Sequence, residues 1–193
     1  MTKKLLNAQR LVLLAAISVS LVFASPAQAN ALVLRAEATP EIHCVVEVNS
    51  DQSSTPEIAG VPTCYPTFAA AIYAATAETV LLAEDFSSKE LTDEILANAP
   101  EDHTVIGVSY TGSGYTGSTL TWIGHGNCGW FTSYSASSMP SGWDNVVSSA
   151  IEYAGCATNP YYENTDFGGS NIDCTCSIMG VMDNQASSVK WSS

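Results

Sequence analysis

The feature that most restricts this chain is an eight-residue pattern that occurs twice, each time followed by the same six-residue frame. Tyr110-Thr-Gly-Ser-Gly-Tyr115-Thr-Gly117 and Tyr162-Glu-Asn-Thr-Asp-Phe167-Gly-Gly169 share the arrangement aromatic, four residues, aromatic, one residue, glycine. Downstream stand Asp144-Asn145-Val146-Val147-Ser148-Ser149 and Asp183-Asn184-Gln185-Ala186-Ser187-Ser188. The order pattern, frame, pattern, frame describes one structural unit built twice. From Val105 onward the chain reads as short strands, such as Val105-Ile-Gly-Val-Ser-Tyr110 and Ser118-Thr-Leu-Thr-Trp122, separated by Gly, Ser, Asn and Pro turns. That alternation predicts an all-β sandwich or barrel.

Each part of the repeat has a physical reading. The first is a sharply folded hairpin: Gly117 and Gly169 can take positive φ where the chain doubles back, and the paired aromatics can cover the fold. The second places amide, carboxylate and hydroxyl oxygens within six residues on a bend, which are the hard donors calcium requires. A plain turn uses the same residue types, so one copy would say little. Two copies, each downstream of a matching hairpin, favour a site. Calcium takes about six to eight oxygens at once, more than one loop can supply, so the loops must cooperate.

The remaining features bound the setting. Residues 1–29 combine a basic start, the apolar run from Leu11 to Ala24 and a small-residue site at Ala27-Gln28-Ala29, which predicts a removed signal peptide and a secreted protein. The apolar run is short for a membrane span, so no stable membrane insertion is expected once the leader is removed. Past the leader, all 19 acidic residues face only Arg35, Lys89 and Lys190, a formal charge of −16. That field argues against nucleic acid and anionic membranes as partners and favours cations. All six cysteines lie in the exported part, where disulfides persist, and Cys174-X-Cys176 alone is a poor zinc set. Cys44 and Cys64 are expected to pair with each other. Cys174 and Cys176, two apart on a strand, are expected each to pair with Cys128 or Cys156 instead.

Thirteen acids lie between Glu37 and Asp102 and six after Val105, which places a compositional boundary near residue 103. Residues 30–103 then read as an acidic α+β unit or pro-region. Its elements are a strand at Cys44-Val-Val-Glu-Val, a helix capped by Thr67 with Phe68 and Ile72 one turn apart, then the run Val80-Leu-Leu, and a short helix near Asp93-Glu94.

Residues 104–193 resemble the βγ-crystallin superfamily, whose motifs carry an aromatic-X4-aromatic-X-Gly hairpin and, in microbial calcium-binding members, an Asn/Asp-Asn/Asp-X-X-Ser/Thr-Ser frame. The resemblance implies a two-Greek-key sandwich with two calcium sites built from parts of both motifs. Carried over, the ligands are Asn145, the Val146 carbonyl and Ser148 from the first motif, and Asn184, the Gln185 carbonyl and Ser187 from the second. Asp144 and Asp183 would orient the loops, and Glu163 and its counterpart Thr111 would offer hairpin carbonyls. The hairpin aromatic stands 34 residues before the frame in the first motif and 21 in the second, and both second frame positions are Asn. Neutral ligands there imply weak binding.

The same residues admit rival functions. His125 and Cys128 could suggest a hydrolase dyad, but Cys128 is expected to be oxidised, and His43 and His103, in exposed-looking stretches, complete no triad; the chain reads as a binding protein and not an enzyme. The architecture is also similar to secreted metalloproteinase inhibitors and killer-toxin-like proteins of actinomycetes, which would use the Ser-, Tyr- and Gly-containing insertion between Gly124 and Trp143 against an extracellular protease. Trp122, Trp130, Trp143 and Tyr134 could alternatively hold a cell-wall glycan, although aromatics of this number can equally fill a core.

Overall fold

A computed structural model describes residues 40–52 and 57–193, and the expected signal peptide lies outside the described residues. Thr39–Ser193 forms one compact unit, mostly β. Its strands are β1 (His43–Glu47), β2 (Thr63–Tyr65), β3 (Thr104–Gly112), β4 (Thr116–Gly124), β5 (Tyr134–Ala136), β6 (Ser149–Glu152), β7 (Pro160–Tyr162), β8 (Asn171–Asp173) and β9 (Ser188–Trp191). Among the described residues, two α-helices, α1 (Phe68–Ala75) and α2 (Asp93–Leu96), precede β3.

The first helix forms as its residues dictate. Thr67 is extended and its Oγ1 accepts the Ala70 N–H at 3.2 Å, while Phe68 and Ile72 bury one face. Thr76 closes the helix: its hydroxyl donates to the Ile72 carbonyl at 2.8 Å and accepts the Val80 N–H at 3.2 Å. Thr92 caps α2 in the same way, accepting the Ile95 N–H. The run at Val80-Leu-Leu is not a strand: Val80 packs beside α1 while Leu81 points into solvent.

One sheet has the order β2-β1-β4-β3-β6 and the other β5-β9-β7-β8. The boundary expected near residue 103 therefore does not divide compact units. β1 pairs antiparallel with β2, Cys44 opposite Cys64, and parallel with β4, Cys44 opposite Leu120. The physical reason is the edge of β4: this nine-residue strand would otherwise show a row of unpaired backbone groups, and β1, buried from His43 to Val46, covers it. The composition change records where acids coat the surface, not where the chain folds separately.

The two sheets share a core. Ile106, Leu120 and Trp122 of the first pack with Tyr134, Tyr161, Val189 and Trp191 of the second, and the Trp122 and Trp191 rings lie 4.8 Å apart. A buried polar thread also joins them: Trp122 Nε1–H donates to Ser109 Oγ at 2.9 Å, and Ser109 Oγ lies 2.6 Å from the Tyr161 hydroxyl. Burial pushes that hydroxyl up to about 12, so it stays protonated at ordinary pH. On the opposite face of the first sheet, α1 packs Phe68, Ala71 and Ile72 against Val45, Val108 and Tyr110.

All six cysteines stand in pairs at disulfide distance. Cys44–Cys64 is as expected. The expectation for the other four is corrected: Cys128 joins Cys156 and Cys174 joins Cys176. The premise of an extended strand through both cysteines fails, because β8 ends at Asp173 and Cys176 has already turned to the other sheet, exchanging backbone bonds of 3.0 and 3.1 Å with Ala150. The bend leaves the two Cα atoms 4.7 Å apart, within bridging range. Cys128 in turn is held by its N–H on the Ala154 carbonyl, beside Cys156. Peptide mapping under non-reducing conditions should recover Cys128 linked to Cys156 and a single peptide carrying an internal Cys174–Cys176 bond. Crosslinks between these two pairs would contradict the fold.

His43 is buried rather than exposed, with Nδ1 3.0 Å from Thr119 Oγ1 and its ring edge-on to Phe68. Burial lowers its pKa below the ordinary 6.5, with Glu41 opposing. Above 6.5 the imidazole is neutral folded or unfolded; below it the unfolded chain takes up a proton that the folded chain resists, so this group lowers stability as pH falls through 6.5. Replacing His43 by Gln should narrow the drop in melting temperature between pH 7.5 and pH 5, read by circular dichroism against the unmodified protein.

Candidate functional site

The two hairpins are near copies in space. Tyr110 and Tyr115 meet edge to face with centroids 5.6 Å apart, and Tyr162 and Phe167 do so at 5.7 Å. The backbone turns back through matching left-handed residues: Gly114, Tyr115 and Gly117 at φ 69, 63 and 80°, and Asp166, Phe167 and Gly169 at 54, 60 and 77°. The last of each triplet must be glycine. A Cβ on Gly117 would lie 2.6 Å from Thr111 Oγ1, and one on Gly169 2.7 Å from Asn164 Nδ2.

The six-residue frames are equally alike. Asn145 and Asn184 occupy the left-handed region at φ 58 and 55°, which asparagine tolerates better than most residues. The preceding aspartate fixes each amide: Asn145 Nδ2 donates to Asp144 Oδ2 at 3.0 Å, and Asn184 Nδ2 to Asp183 Oδ2 at 3.3 Å. The frames then clasp each other. Asn145 N–H donates to the Ala186 carbonyl at 3.0 Å and Asn184 N–H to the Val147 carbonyl at 2.9 Å. Ser148 Oγ donates to Asn184 Oδ1 across this junction at 3.4 Å. Each frame also rests on its own hairpin, Ser148 N–H on the Tyr110 carbonyl and Ser187 N–H on the Tyr162 carbonyl, both at 2.8 Å.

These contacts bring the frames together, and with them Asn145, Ser148, Asn184 and Ser187. Asp144, Asp183 and Gln185 are exposed, Val146 is half-buried, and Ser148 and Ser187 are buried at the base. Thr111 and Glu163 each follow the tyrosine whose carbonyl receives a frame. Their side chains serve the hairpins themselves: Thr111 Oγ1 accepts the Ser118 N–H at 3.0 Å and Glu163 Oε2 accepts the Ser170 N–H at 3.1 Å.

Among the described residues no group of three or more His, Cys, Asp or Glu is placed to hold a metal. The donors at the frame junction are mainly amide, hydroxyl and carbonyl oxygens, which suit calcium and not a transition metal. The Ser148–Asn184 spacing fits as well. Two oxygens each about 2.4 Å from one ion at a right angle would stand roughly 3.4 Å apart, close to the 3.4 Å observed.

The last serine of each frame reads from sequence as one more hydroxyl donor on the bend, whereas in the structure it serves the hairpin. Ser149 Oγ donates to the Gly112 carbonyl at 2.7 Å and accepts the Tyr115 N–H at 3.1 Å; Ser188 Oγ does the same with the Asn164 carbonyl and the Phe167 N–H at 2.7 and 3.1 Å. Both are fully buried. Their recurrence at the sixth frame position was the available signal.

The other singled-out residues separate clearly. Cys128 is tied to Cys156, His125 Nε2 faces Glu47 Oε1 at 2.8 Å, and His103 lies beside Asp102. Trp122, Trp143 and Tyr134 are core residues, whereas Trp130 is 97% exposed. The insertion between Gly124 and Trp143 is not a free loop, since it supplies β5 and the buried Met139. Compared with protein-family models, curated proteins and solved structures, the chain matches none.

Replacing Gly169 by Ala should cost roughly 1–3 kcal/mol through the left-handed backbone alone. Replacing Ser188 by Ala should cost about 1 kcal/mol by stranding the part-buried Asn164 carbonyl and Phe167 N–H. Urea unfolding of both variants measures this; wild-type stability in either would contradict the hairpin geometry.

Proposed function

We propose that residues 104–193 form a two-motif Greek-key sandwich of βγ-crystallin type that binds calcium where the two frames meet, within an exported binding or structural protein. The observation that carries this reading is the reciprocal clasp of Asn145 on Ala186 and Asn184 on Val147, with Ser148 Oγ facing Asn184 Oδ1. Strand exchange supports the fold: β5, from between the first hairpin and frame, pairs with β9, while Cys176, from between the second hairpin and frame, bridges to β6.

On this reading Ser148 and Asn184, with the carbonyl of Gln185, hold one ion, and Ser187 and Asn145, with that of Val146, hold the other. Backbone oxygens of Thr111 and Glu163 and water complete the sets, and Asp144 and Asp183 orient the amides and add negative field. Calcium supplies positive charge between two loops whose donors otherwise only face one another. Neutral amides in place of carboxylates make the sites weak. The leader at 1–29 and the paired cysteines support export, and among the described residues no helix is long and apolar enough to cross a membrane.

Calorimetric titration with calcium tests the proposal, beside thermal melts in calcium and in chelator. An ion that binds only the folded state at about a hundred times its Kd adds about 2.7 kcal/mol, so the melt should move up by several degrees. Ser148→Ala with Asn184→Ala should abolish most of that shift. Absence of both heat and shift at millimolar calcium rejects the reading.

A further inference from the structure

We propose that the cleft beside Trp130 and Phe131 is a binding site for a neutral glycan chain. These two residues form the tip of a two-residue turn closed by Gly129 and Thr132, which exchange backbone bonds of 3.0 and 3.1 Å. They are 97% and 84% exposed, a large apolar surface that folding leaves in water. The turn is nonetheless held rigid. Cys128, one residue before it, is bonded to Cys156 and to the Ala154 carbonyl. On the other side, Gln52 Nε2 donates to the Phe131 carbonyl at 2.6 Å, and the Asp51 carboxylate accepts from the hydroxyls of Ser133 and Ser135. A rigid, exposed aromatic pair loses little entropy on contact with a ligand.

The chemistry of the cleft selects the ligand. Its volume is about 570 Å³, and its lining beside the aromatic pair is Gln52, Gly129, Thr132, Ser133, Ser192 and Ser193, polar residues apart from the glycine and none with an ionisable side chain. No Asp, Glu, Lys or Arg side chain among the described residues lines it, in a chain with 19 acids. An aromatic face with neutral amide and hydroxyl groups beside it matches a sugar ring, which is apolar on its face and hydroxylated at its edge. An anionic ligand would find no basic side chain there. A bilayer would ask for a wider apolar collar or basic residues around the tip, and here the tip is ringed by polar groups. The cleft makes no use of the repeat frames, so this inference stands apart from calcium binding.

The test uses cellohexaose, laminarihexaose and chitohexaose as neutral probes and phosphatidylcholine vesicles as the competing surface. Because the other three tryptophans are at most 4% exposed, a ligand at the cleft should change the emission of Trp130 alone. At least one oligosaccharide should give a saturable blue shift. By calorimetry, Trp130→Ala should weaken that binding about tenfold or more, and Phe131→Ala should weaken it less, while the melting temperature of both variants stays at the wild-type value. The proposal is overturned if no probe binds at millimolar concentration, if Trp130→Ala binds as the wild type does, or if the protein partitions onto vesicles without binding any sugar. Should Trp130→Ala melt low, Trp130→Phe, which keeps an aromatic face, must retain binding for the proposal to survive.

Discussion

The buried hydroxyls of Ser149 and Ser188 hold the rest of the repeat in place. Each sits at the first residue of a strand, donates to a carbonyl inside a hairpin and accepts an N–H from the hairpin's second aromatic. A hairpin with three left-handed residues is costly backbone, of order 1–3 kcal/mol for each non-glycine among them, and Tyr115, Asp166 and Phe167 are not glycine. It persists because something outside it satisfies its interior polar groups. The serine does so while also starting the strand that crosses the core, so the hairpin, the frame and the sheet are determined together.

From this follows the position of the frames. With the sixth residue fixed under its hairpin, the fifth has its N–H on the first aromatic's carbonyl, and the second is carried out to the neighbouring frame. Asparagine there resolves two demands. It accepts the left-handed conformation at modest cost, and its amide can donate to the preceding aspartate while turning an oxygen toward the opposite serine. Aspartate at that position would strengthen a cation's hold but would place two adjacent carboxylates in each bend, four in all, inside a chain that already carries 19 acids. The neutral choice keeps the bends stable without an ion.

How much could be read from sequence follows the same division between local and non-local causes. The hairpins and frames were legible because Gly117, Gly169, Asn145 and Asn184 answer to backbone conformations that few residues tolerate. Helix α1 was legible through Thr67 for the same reason. What escaped depends on partners distant in the chain. The parallel pairing of β1 with β4 joins residues 76 positions apart, and nothing in His43–Glu47 names that partner. The Cys174–Cys176 bond needed the bend toward Ala150, which no local pattern announces. Val80-Leu-Leu has apolar residues that suit a strand, yet Val80 is buried, Leu82 packs only partly against the same cluster, and Leu81 is left in solvent. The sequence leads to the expectation that the two frames meet, but not to their mode of meeting, since Ser148 reaches Asn184 across 36 residues.

The exchange of strands gives these parts their common consequence. Because β5 pairs with β9, and Cys176 with Ala150, neither repeat can complete its own sheet. The clasp between frames therefore exists only when both repeats are folded, and so does any ligand pocket at that junction. A ligand held there is stabilising for the whole unit and not for one loop, since it has nothing to bind once either repeat opens. The Trp130 turn obeys a different logic. Its rigidity comes from Asp51, Gln52 and the Cys128–Cys156 bond, contacts that lie outside the repeat frames. A surface built this way can change its ligand without disturbing the fold, whereas any change at the frames must also satisfy the hairpins they brace.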